Sequence, residues 1–449
     1  MKILAAKYVL PISAEPISGG AIAIDETKIV AVGTRKELAA EFPEADIENF
    51  GEAALMPGFV NCHSHLEITA MRGFLDDVEA DFYSWLMKLT KVRAEKLTEQ
   101  DIKIAALAGA LEGVRAGVTC FGDIGRFGAA GFEALKKNNL RGVLFQETEF
   151  SPKNEIAESD FEKLEDKFLK LKETETALVR VGISLHAPYT VSRKLFQKIT
   201  EYAVAKNIKT SIHAAESNDE KEFFQTGAGF FAELYKNLNL EWNAPRTSPI
   251  EYLSRIGALE SKPLLAHCVK VSGEDIELIA ESDSSIAHCP KSNAKFGHGI
   301  APLEMFLDKN VRVGFGSDSV ASNNACDILE EARFAALSAR NSEGKKRFLT
   351  AREIIETATL GAARALRLDA EIGTLEAGKQ ADIIVVSLAN LAQLPVHDVY
   401  SALLFASNAR DVEMTMVAGE EIYRDGAAAK IDEAEIKIKL REIGERMRR

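Results

Sequence analysis

Two textures of apolar and polar positions succeed one another along the 449-residue chain. Up to about residue 55, short apolar runs are separated by turn residues and have no helical pattern between them. They predict strands over Lys2–Val9, Ala21–Ile24 and Ile29–Val32, with Gly19-Gly20 and Asp25-Glu26 as turns. From residue 56, apolar runs of strand length alternate with amphipathic stretches, the mark of a parallel sheet with crossover helices. The strand-like runs are Gly58–His63, Val118–Phe121, Gly142–Phe145, Val181–Leu185, Lys209–Ile212, Pro263–Ala266, Ser285–Ala287 and Val311–Phe315. Helical patterns such as Ile102–Ala116, Arg193–Lys206, Gly273–Ala280 and Ala351–Leu366 fall between or after them. Glu155 to Lys172 interleaves charges with Phe161, Leu164 and Phe168, as an outer helix does. Eight alternations over about 310 residues predict an α/β fold, a closed (β/α)8 TIM barrel. A doubly wound sheet is the alternative, but Gly122-Asp123-Ile124-Gly125 does not supply its Gly-x-Gly-x-x-Gly turn.

After residue 372 the strand texture returns, in Gly373–Gly378, Ala381–Val386, Val412–Val417 and Glu421–Tyr423. These runs are expected to join the N-terminal strands in a small β-sandwich domain built from residues 1–55 and 373–449, around a barrel domain of residues 56–372. Glu433 to Arg449 reads as a charged helix with Ile436, Ile438, Leu440 and Ile443 as packing positions.

Composition narrows the class. A formal charge of −13 disfavours nucleic acid and anionic membranes as partners, but not a nucleoside-sized substrate. No apolar run approaches the roughly 18 residues of a membrane span, and no signal-peptide pattern follows Met1. Five cysteines without regular spacing fit reduced thiols. Those at 62, 120, 268 and 289 read as small packing residues. The expected location is the cytoplasm, and homo-oligomerisation is left open.

The candidate chemistry begins at Val60-Asn61-Cys62-His63-Ser64-His65. On a strand, His63 and His65 share a face, roughly 6.6 Å apart, with Cys62 and Ser64 on the other. Such a pair can arise by chance. In a barrel, however, chemistry sits at the C-terminal ends of the strands. His186, His213, His267 and His288 end the fourth to seventh strand-like runs, and Asp318 follows the eighth. Six of the chain's eight histidines therefore fall at one rim, and core histidines would not collect there. The set predicts a metal centre.

Met56–His65, His213-Ala214-Ala215-Glu216, Ala266-His267-Cys268 and Gly316-Ser317-Asp318-Ser319 together resemble the amidohydrolase superfamily, in its adenosine deaminase and chlorohydrolase branch. The resemblance covers essentially the whole chain. It implies that His63, His65, His213 and Asp318 hold one divalent metal, Zn²⁺ by donor type with Fe²⁺ also compatible. Binuclear members carry a modified lysine at the end of strand 4, where this chain has Leu185-His186. It further implies hydrolysis by metal-activated water, with His267 and Asp318 taking up its proton and Glu216 acting as general acid. His186 would bind substrate, the loop Cys289-Pro290-Lys291-Ser292-Asn293 after His288 would shape the pocket, with no direct catalysis by His288, and His298 would lie in a pocket or surface loop. The Cys-x-x-Cys and His-x-Glu pattern of the cytidine-type zinc deaminases is absent.

The resemblance implies an aminated heteroaromatic substrate of small size. Relatives acting on methylthioadenosine or S-adenosylhomocysteine carry glutamate before a Trp-Leu pair and arginine at the end of strand 3. Here those places hold Ser84, before Trp85, and Gln146. His65-Leu66-Glu67 is similar to the His-Leu-Glu of the aminodeoxyfutalosine deaminases of menaquinone synthesis, as are Phe223–Gly229 and Ser248–Leu253. The expected reaction is therefore 6-aminodeoxyfutalosine deamination, with Glu67, Ser84, Trp85, Gln146 and His186 as substrate contacts. The alternatives are methylthioadenosine or S-adenosylhomocysteine deamination, a guanine deaminase or triazine hydrolase, and, remotely, a non-catalytic scaffold.

Overall fold

The computed structural model describes every residue except Glu343, Lys345 and Lys346. Eight parallel strands form one sheet: β1 Phe59–Ser64, β2 Val118–Gly125, β3 Arg141–Glu147, β4 Val179–Ser184, β5 Thr210–Ala214, β6 Leu264–His267, β7 Ser285–His288 and β8 Arg312–Phe315. Each pairs with its sequence neighbour. The sheet closes where a bridge joins Ser64, at the end of β1, to Asp318, just beyond β8. There the Asp318 N–H donates to the His63 carbonyl at 2.9 Å. The closure needs a glycine, because a Cβ at Gly316 would lie 2.7 Å from the Cβ of His63.

The barrel is filled rather than hollow. Val60 and Cys62 of β1, Cys120 of β2, Val143 of β3, Leu264 of β6 and Ala287 of β7 belong to one buried cluster with Ala362–Ile372. Side chains from opposite walls of a barrel can meet only inside it. The chain after β8 thus turns back to floor the barrel. The long helix expected over Ala351–Leu366 is interrupted for this purpose. It runs as Ala351–Glu356, a π-helical turn Thr357–Gly361, and Ala362–Ala365. A π-turn inserts a residue into the helical repeat, which re-aims the next helical turn.

Around the barrel, helix Ala157–Lys172 buries Ala157, Phe161, Leu164 and Phe168 as its pattern requires. The C-terminal helix Glu433–Arg448 buries Ile436, Ile443 and Met447. Ile438, expected to pack, is exposed because it lies on the outward face.

Two further sheets come from the chain ends. Lys2–Ala5, Gly20–Asp25, Lys28–Thr34 and Asp46–Asn49 make a four-stranded sheet. Ala53–Pro57 pairs antiparallel with Ile383–Ser387, which brings both ends into a seven-stranded sheet. The faces of the two sheets meet through Leu4, Ile22, Leu55, Ile383 and Met416. The run Lys2–Val9 is divided: Lys2–Ala5 belongs to the first sheet and Tyr8–Val9 to the second. Residues 373–378, expected as a strand, run irregularly through a bend and end in a turn, with Gly373 and Gly378 at positive φ. Among the described residues no helix is long and apolar enough to cross a membrane.

Barrel and sheets are tied by a buried ion pair. Arg141, at the start of β3, donates from Nε to Asp382 Oδ2 at 2.8 Å, with side-chain exposures of 3% and 2%. It also reaches Glu371 of the floor at 3.1 Å, while Asp382 Oδ1 accepts from the Ala418 N–H at 2.9 Å. Removing one partner leaves a buried charge uncompensated, at a cost of about 3 kcal/mol or more. Asp382→Asn is expected to lower unfolding stability by about that amount in urea titrations. An unchanged midpoint would show that the pair does not join the two parts.

Candidate active site

The strand ends converge at the mouth of the barrel. His63 is the last but one residue of β1, and His65 follows the strand. The β1–β2 register shifts between Asn61 and Ser64, so strict alternation does not hold. Cys62 turns into the filled interior, with Sγ toward the Ala362 carbonyl, while both imidazoles face the mouth. Asp123 of β2 fixes this turn, accepting from Ser64 Oγ at 2.8 Å and from the Leu66 N–H at 3.0 Å.

His63, His65, His213 and Asp318 meet within a few ångströms. His63 Nε2 and His65 Nε2 lie 3.4 and 3.5 Å from Asp318 Oδ1. His65 Nε2 lies 3.3 Å from His213 Nε2. Burial lowers His63 to a pKa of about 4 and His65 to about 3, so both are neutral, the form that binds metal. His213 Nδ1 faces the His186 carbonyl at 3.1 Å, which leaves Nε2 as the lone-pair nitrogen. Burial opposes the charge on Asp318, but the adjacent imidazoles of His63, His267 and His65 hold its carboxyl well below the usual range. Its other oxygen accepts from Ser292 Oγ at 2.6 Å and Ser322 Oγ at 2.9 Å.

This set fits a divalent ion. Both ring nitrogens of the fully buried His63 lack a hydrogen-bond partner, and buried polar groups are rarely left so. His63, His65 and Asp318 present ligand atoms within 4.8 Å of one another, as do His63, His213 and His267. Glu147, His186 and His213 form a third such group. With its Nδ1 engaged, His213 has only Nε2 to offer, so the two groups that contain it compete for one nitrogen.

Beside this cluster, Glu216 is 5% exposed, and burial raises its carboxyl to about 8. Its Oε1 lies 3.6 Å from His298 Nε2 and 3.8 Å from His267 Nε2. Asn293 Oδ1 accepts from His267 Nδ1 at 2.9 Å and orients that ring. The backbone N–H groups of Ala215 and Glu216 donate to the buried carboxylate of Glu220 at 3.0 and 2.8 Å. His186, Ala215, His267 and Asp318 all have positive φ. Backbone of this kind costs about 1–3 kcal/mol per residue.

The cavity at the mouth is lined by His65, Trp85, His186, His213, Glu216, His267 and Asp318 from the expected set. The remaining expected contacts fall elsewhere. Glu67 is buried behind the wall, accepting from the N–H groups of Arg126, Phe127 and Gly128 at 3.1, 3.2 and 2.7 Å. It braces the loop after β2 and does not line the cavity. Gln146 donates to the Arg126 and Glu147 carbonyls, and Ser84 bonds to Asp81 at its helix's first turn. Gln146 and Ser84 also do not line the cavity. His288 is buried with Nδ1 unpartnered and is not part of the lining. His298 packs between Phe82 and Phe296 and faces Glu216, so it belongs to the site rather than to the surface.

Several lining residues were not anticipated: Glu147, Arg126, Arg93, Phe82 and Phe296. Period-two alternation on β3 could have preferred Glu147 to Gln146 once the strand's end was known. The helix stripe ending at Arg93 could have been read from its spacing. Arg126 and Phe296 lie in loops whose course no periodicity records. Phe223–Gly229 and Ser248–Leu253 fall in or beside helices outside the cavity. The first supports it indirectly: Phe223 packs with Phe231, which stacks on the cavity-lining Tyr189 at 4.1 Å.

Comparison with known proteins agrees with this architecture. A solved adenosine deaminase from Xanthomonas campestris with bound zinc superposes with a TM-score of 0.86 at 26% identity, covering 99% of this chain and 98% of that one. The Helicobacter pylori aminofutalosine deaminase, in complex with methylthio-coformycin, superposes with a TM-score of 0.77 at 24% identity, over 94% of this chain and 100% of that one. It shares the fold. In sequence, a 5-methylthioadenosine/S-adenosylhomocysteine deaminase of Thermodesulfovibrio yellowstonii is 31% identical over 99% of this chain and 98% of its own length. Residues 54–422 match the amidohydrolase family, and residues 20–45 match an imidazolonepropionase-like composite domain of bacteria. With one match spanning the barrel and a relative aligned from end to end, the chain belongs to the amidohydrolase family.

Proposed function

We propose that this chain is a metal-dependent deaminase of a 6-aminopurine nucleoside, replacing the exocyclic amine with oxygen from water and releasing ammonia. It is a hydrolase of carbon–nitrogen bonds in cyclic amidines. The observation that carries the reading is the buried carboxyl of Glu216, set beside His267 and His298 at the edge of the four-residue donor cluster.

His63, His65, His213 and Asp318 would hold the ion, zinc by donor type. When bound, it supplies a water that ionises near neutral pH. The chain's own groups move the protons. Burial keeps Glu216 a carboxylic acid at neutral pH, so it can give its proton to a ring nitrogen of the purine. His267 is held by Asn293 with Nε2 toward the same space, placed to take a proton there and pass it toward the departing amine. Phe296 packs edge to face against both Phe82 and Trp85, and the three make an apolar wall for the heteroaromatic ring that keeps bulk water from it.

Within this class we propose 6-aminodeoxyfutalosine as the substrate. The support is the sequence resemblance at His65-Leu66-Glu67, together with the absence of a carboxylate at position 84 and of arginine at position 146. The structure gives Glu67 a bracing role, so its share in that resemblance is architectural. The end-to-end relative named for methylthioadenosine and S-adenosylhomocysteine favours those two as the second reading.

Purified protein is expected to carry about one equivalent of divalent metal by elemental analysis, and His65→Asn or His213→Asn should lose it together with activity. Full metal content in both variants would refute the ligand set. Glu216→Gln should keep its metal while kcat falls by about 10²- to 10⁴-fold; near-normal turnover would remove Glu216 from the mechanism. Ammonia release from aminodeoxyfutalosine, methylthioadenosine, S-adenosylhomocysteine and guanine decides the substrate. Aminodeoxyfutalosine should give the highest kcat/KM, and preference for another would replace it.

A further inference from the structure

Three loops supply groups around the donor cluster, and one ammonium joins all three away from the cavity. Lys295 ends the short helix Pro290–Lys295 in the loop after β7. Its Nζ donates to Asp76 Oδ1 at 2.7 Å, in the loop after β1, and to Asn324 Oδ1 at 2.6 Å, in the loop after β8. Glu79 Oε2, also after β1, stands 3.1 Å from it. Asn324 Nδ2 in turn donates to Asp76 Oδ2 at 3.0 Å. Burial opposes the charge on Asp76, yet the hydrogen bonds from Lys295 and Asn324 hold its carboxyl below the usual value. Lys295 itself does not line the cavity.

Each arm of this node leads to a group the reaction uses. On the helix that ends in Lys295, Ser292 Oγ donates to Asp318 and Asn293 Oδ1 orients His267. Phe296 and His298 follow at once, the first against Phe82 and Trp85, the second 3.6 Å from Glu216. Asn324 lies two residues beyond Ser322, which donates to the same Asp318 oxygen. Asp76 opens the 3₁₀ turn Asp76–Val78, and Asp81 then caps helix Phe82–Lys96, which carries Phe82 and Trp85. Asp77 of that turn pairs with Lys88 of the helix at 2.5 Å, so turn and helix are tied together. The start of the helix meets its neighbours through rings: Phe82 with Phe296 and His298, Trp85 with Phe296, and Tyr83 with Phe230. Apolar contact is non-directional, so these rings hold the helix down without fixing its place along the mouth. The ion cluster supplies the fixed point.

We propose that Lys295 is a positioning residue for the reaction, its ammonium setting the aromatic wall of helix Phe82–Lys96 in register with the groups that move protons. The proposal rests on the nucleoside deaminase reading and adds to it a residue that touches neither substrate nor metal. An ammonium offers three N–H groups and no acceptor, and this one faces three oxygens from two other loops. A guanidinium is a planar fork and does not reproduce that arrangement. The side chain of Lys295 is 19% exposed and those of Asp76 and Glu79 are 37% and 35% exposed, so the cluster adds little to global stability. Rate is far more sensitive, because a displacement of about 1 Å at the reacting atoms can cost about 10²-fold. Substitution at Lys295 should therefore separate turnover from stability.

The test uses metal-loaded full-length protein carrying Trp242→Phe, which leaves Trp85 as the only indole. Trp242 packs on Phe223 and Phe224, outside the cavity lining. Emission wavelength and acrylamide quenching of Trp85 then report the wall without any substrate. Ammonia release from whichever of aminodeoxyfutalosine, methylthioadenosine and S-adenosylhomocysteine reacts fastest gives kcat and KM. Lys295→Met and Asp76→Ala are expected to shift Trp85 emission to longer wavelength and to raise its quenching. In both, kcat should fall by about 10- to 100-fold with KM changed by less than about threefold. Metal content should be unchanged and the unfolding midpoint should stay within about 2 °C. Lys295→Arg, which keeps the charge but not its geometry, should give an intermediate kcat. Lys295→Met/Asp76→Ala should be no slower than Lys295→Met, since both remove one contact. If Lys295→Met fails to fold, Asp76→Ala on the half-exposed turn decides by the same readouts. Wild-type kcat in a folded variant overturns the positioning role, whether or not Trp85 loosens. So does a fall in kcat that tracks lost metal or a lowered midpoint, or a double variant slowed by the product of the two singles. A loosened Trp85 in variants of a protein that releases ammonia from none of the nucleosides leaves the node standing and removes the deaminase reading. Ammonia release with kcat and Trp85 unmoved by the substitutions does the reverse.

Discussion

The seam at which the barrel closes is the constraint on which the site depends. The bridge between Ser64 and Asp318 joins the first strand to the chain leaving the eighth, and the Asp318 N–H donates to the carbonyl of His63. That backbone contact sets the Asp318 carboxylate against two imidazoles 3.4 and 3.5 Å away. An open sheet with the same eight strands would leave His63 and Asp318 on opposite edges. The donor cluster is therefore a product of closure, and the small volume of Gly316 is what lets the strands approach closely enough to make it.

The stability needed to hold so many polar groups in place comes from below and behind them. The interior cluster under the mouth is apolar and closed by Ala362–Ile372. Arg141, Glu371 and Asp382 lock that floor to the sheet shared by both chain ends. Around the mouth, most of the aligning groups are themselves buried: Asp123 under the turn after β1, Asn293 behind His267, Ser292 and Ser322 behind Asp318, and Glu220 behind Glu216. Burial also sets protonation. It keeps His63 and His65 neutral and Glu216 protonated, so donors for a cation and a donor of a proton stand side by side. Left-handed backbone at His186, Ala215, His267 and Asp318 is tolerated because the surrounding ladder over-determines it.

The residues legible in advance were those tied to a repeating element. Each barrel strand announced itself as an apolar run of the right length, and each candidate ligand stood at the end of such a run. Glu216 could be singled out because a short motif places it three residues beyond His213. Failures arose where side-chain direction depends on more than period. Glu67 follows His65 closely in sequence, yet the turn fixed by Asp123 points it behind the wall. Gln146 and Glu147 are adjacent, and only the register of β3 decides that the second one faces the cavity. Ser84 and Trp85 differ likewise by about 100° of helix rotation, which sends one to Asp81 and the other to the cavity wall.

By itself the sequence determined the alternating architecture, the rim at which the histidines gather, and the type of donor offered to a metal. These follow from local periodicities of two and 3.6 residues and from the rule that barrel strands present their C-terminal ends together. The tertiary structure alone decided which residues face one another across the cavity. Arg93, Arg126 and Glu147 come from a helix, a loop and a strand separated by 33 and 21 positions along the chain. No local pattern relates them, because their meeting depends on the curvature of the closed sheet and on the path of the loop that Glu67 holds.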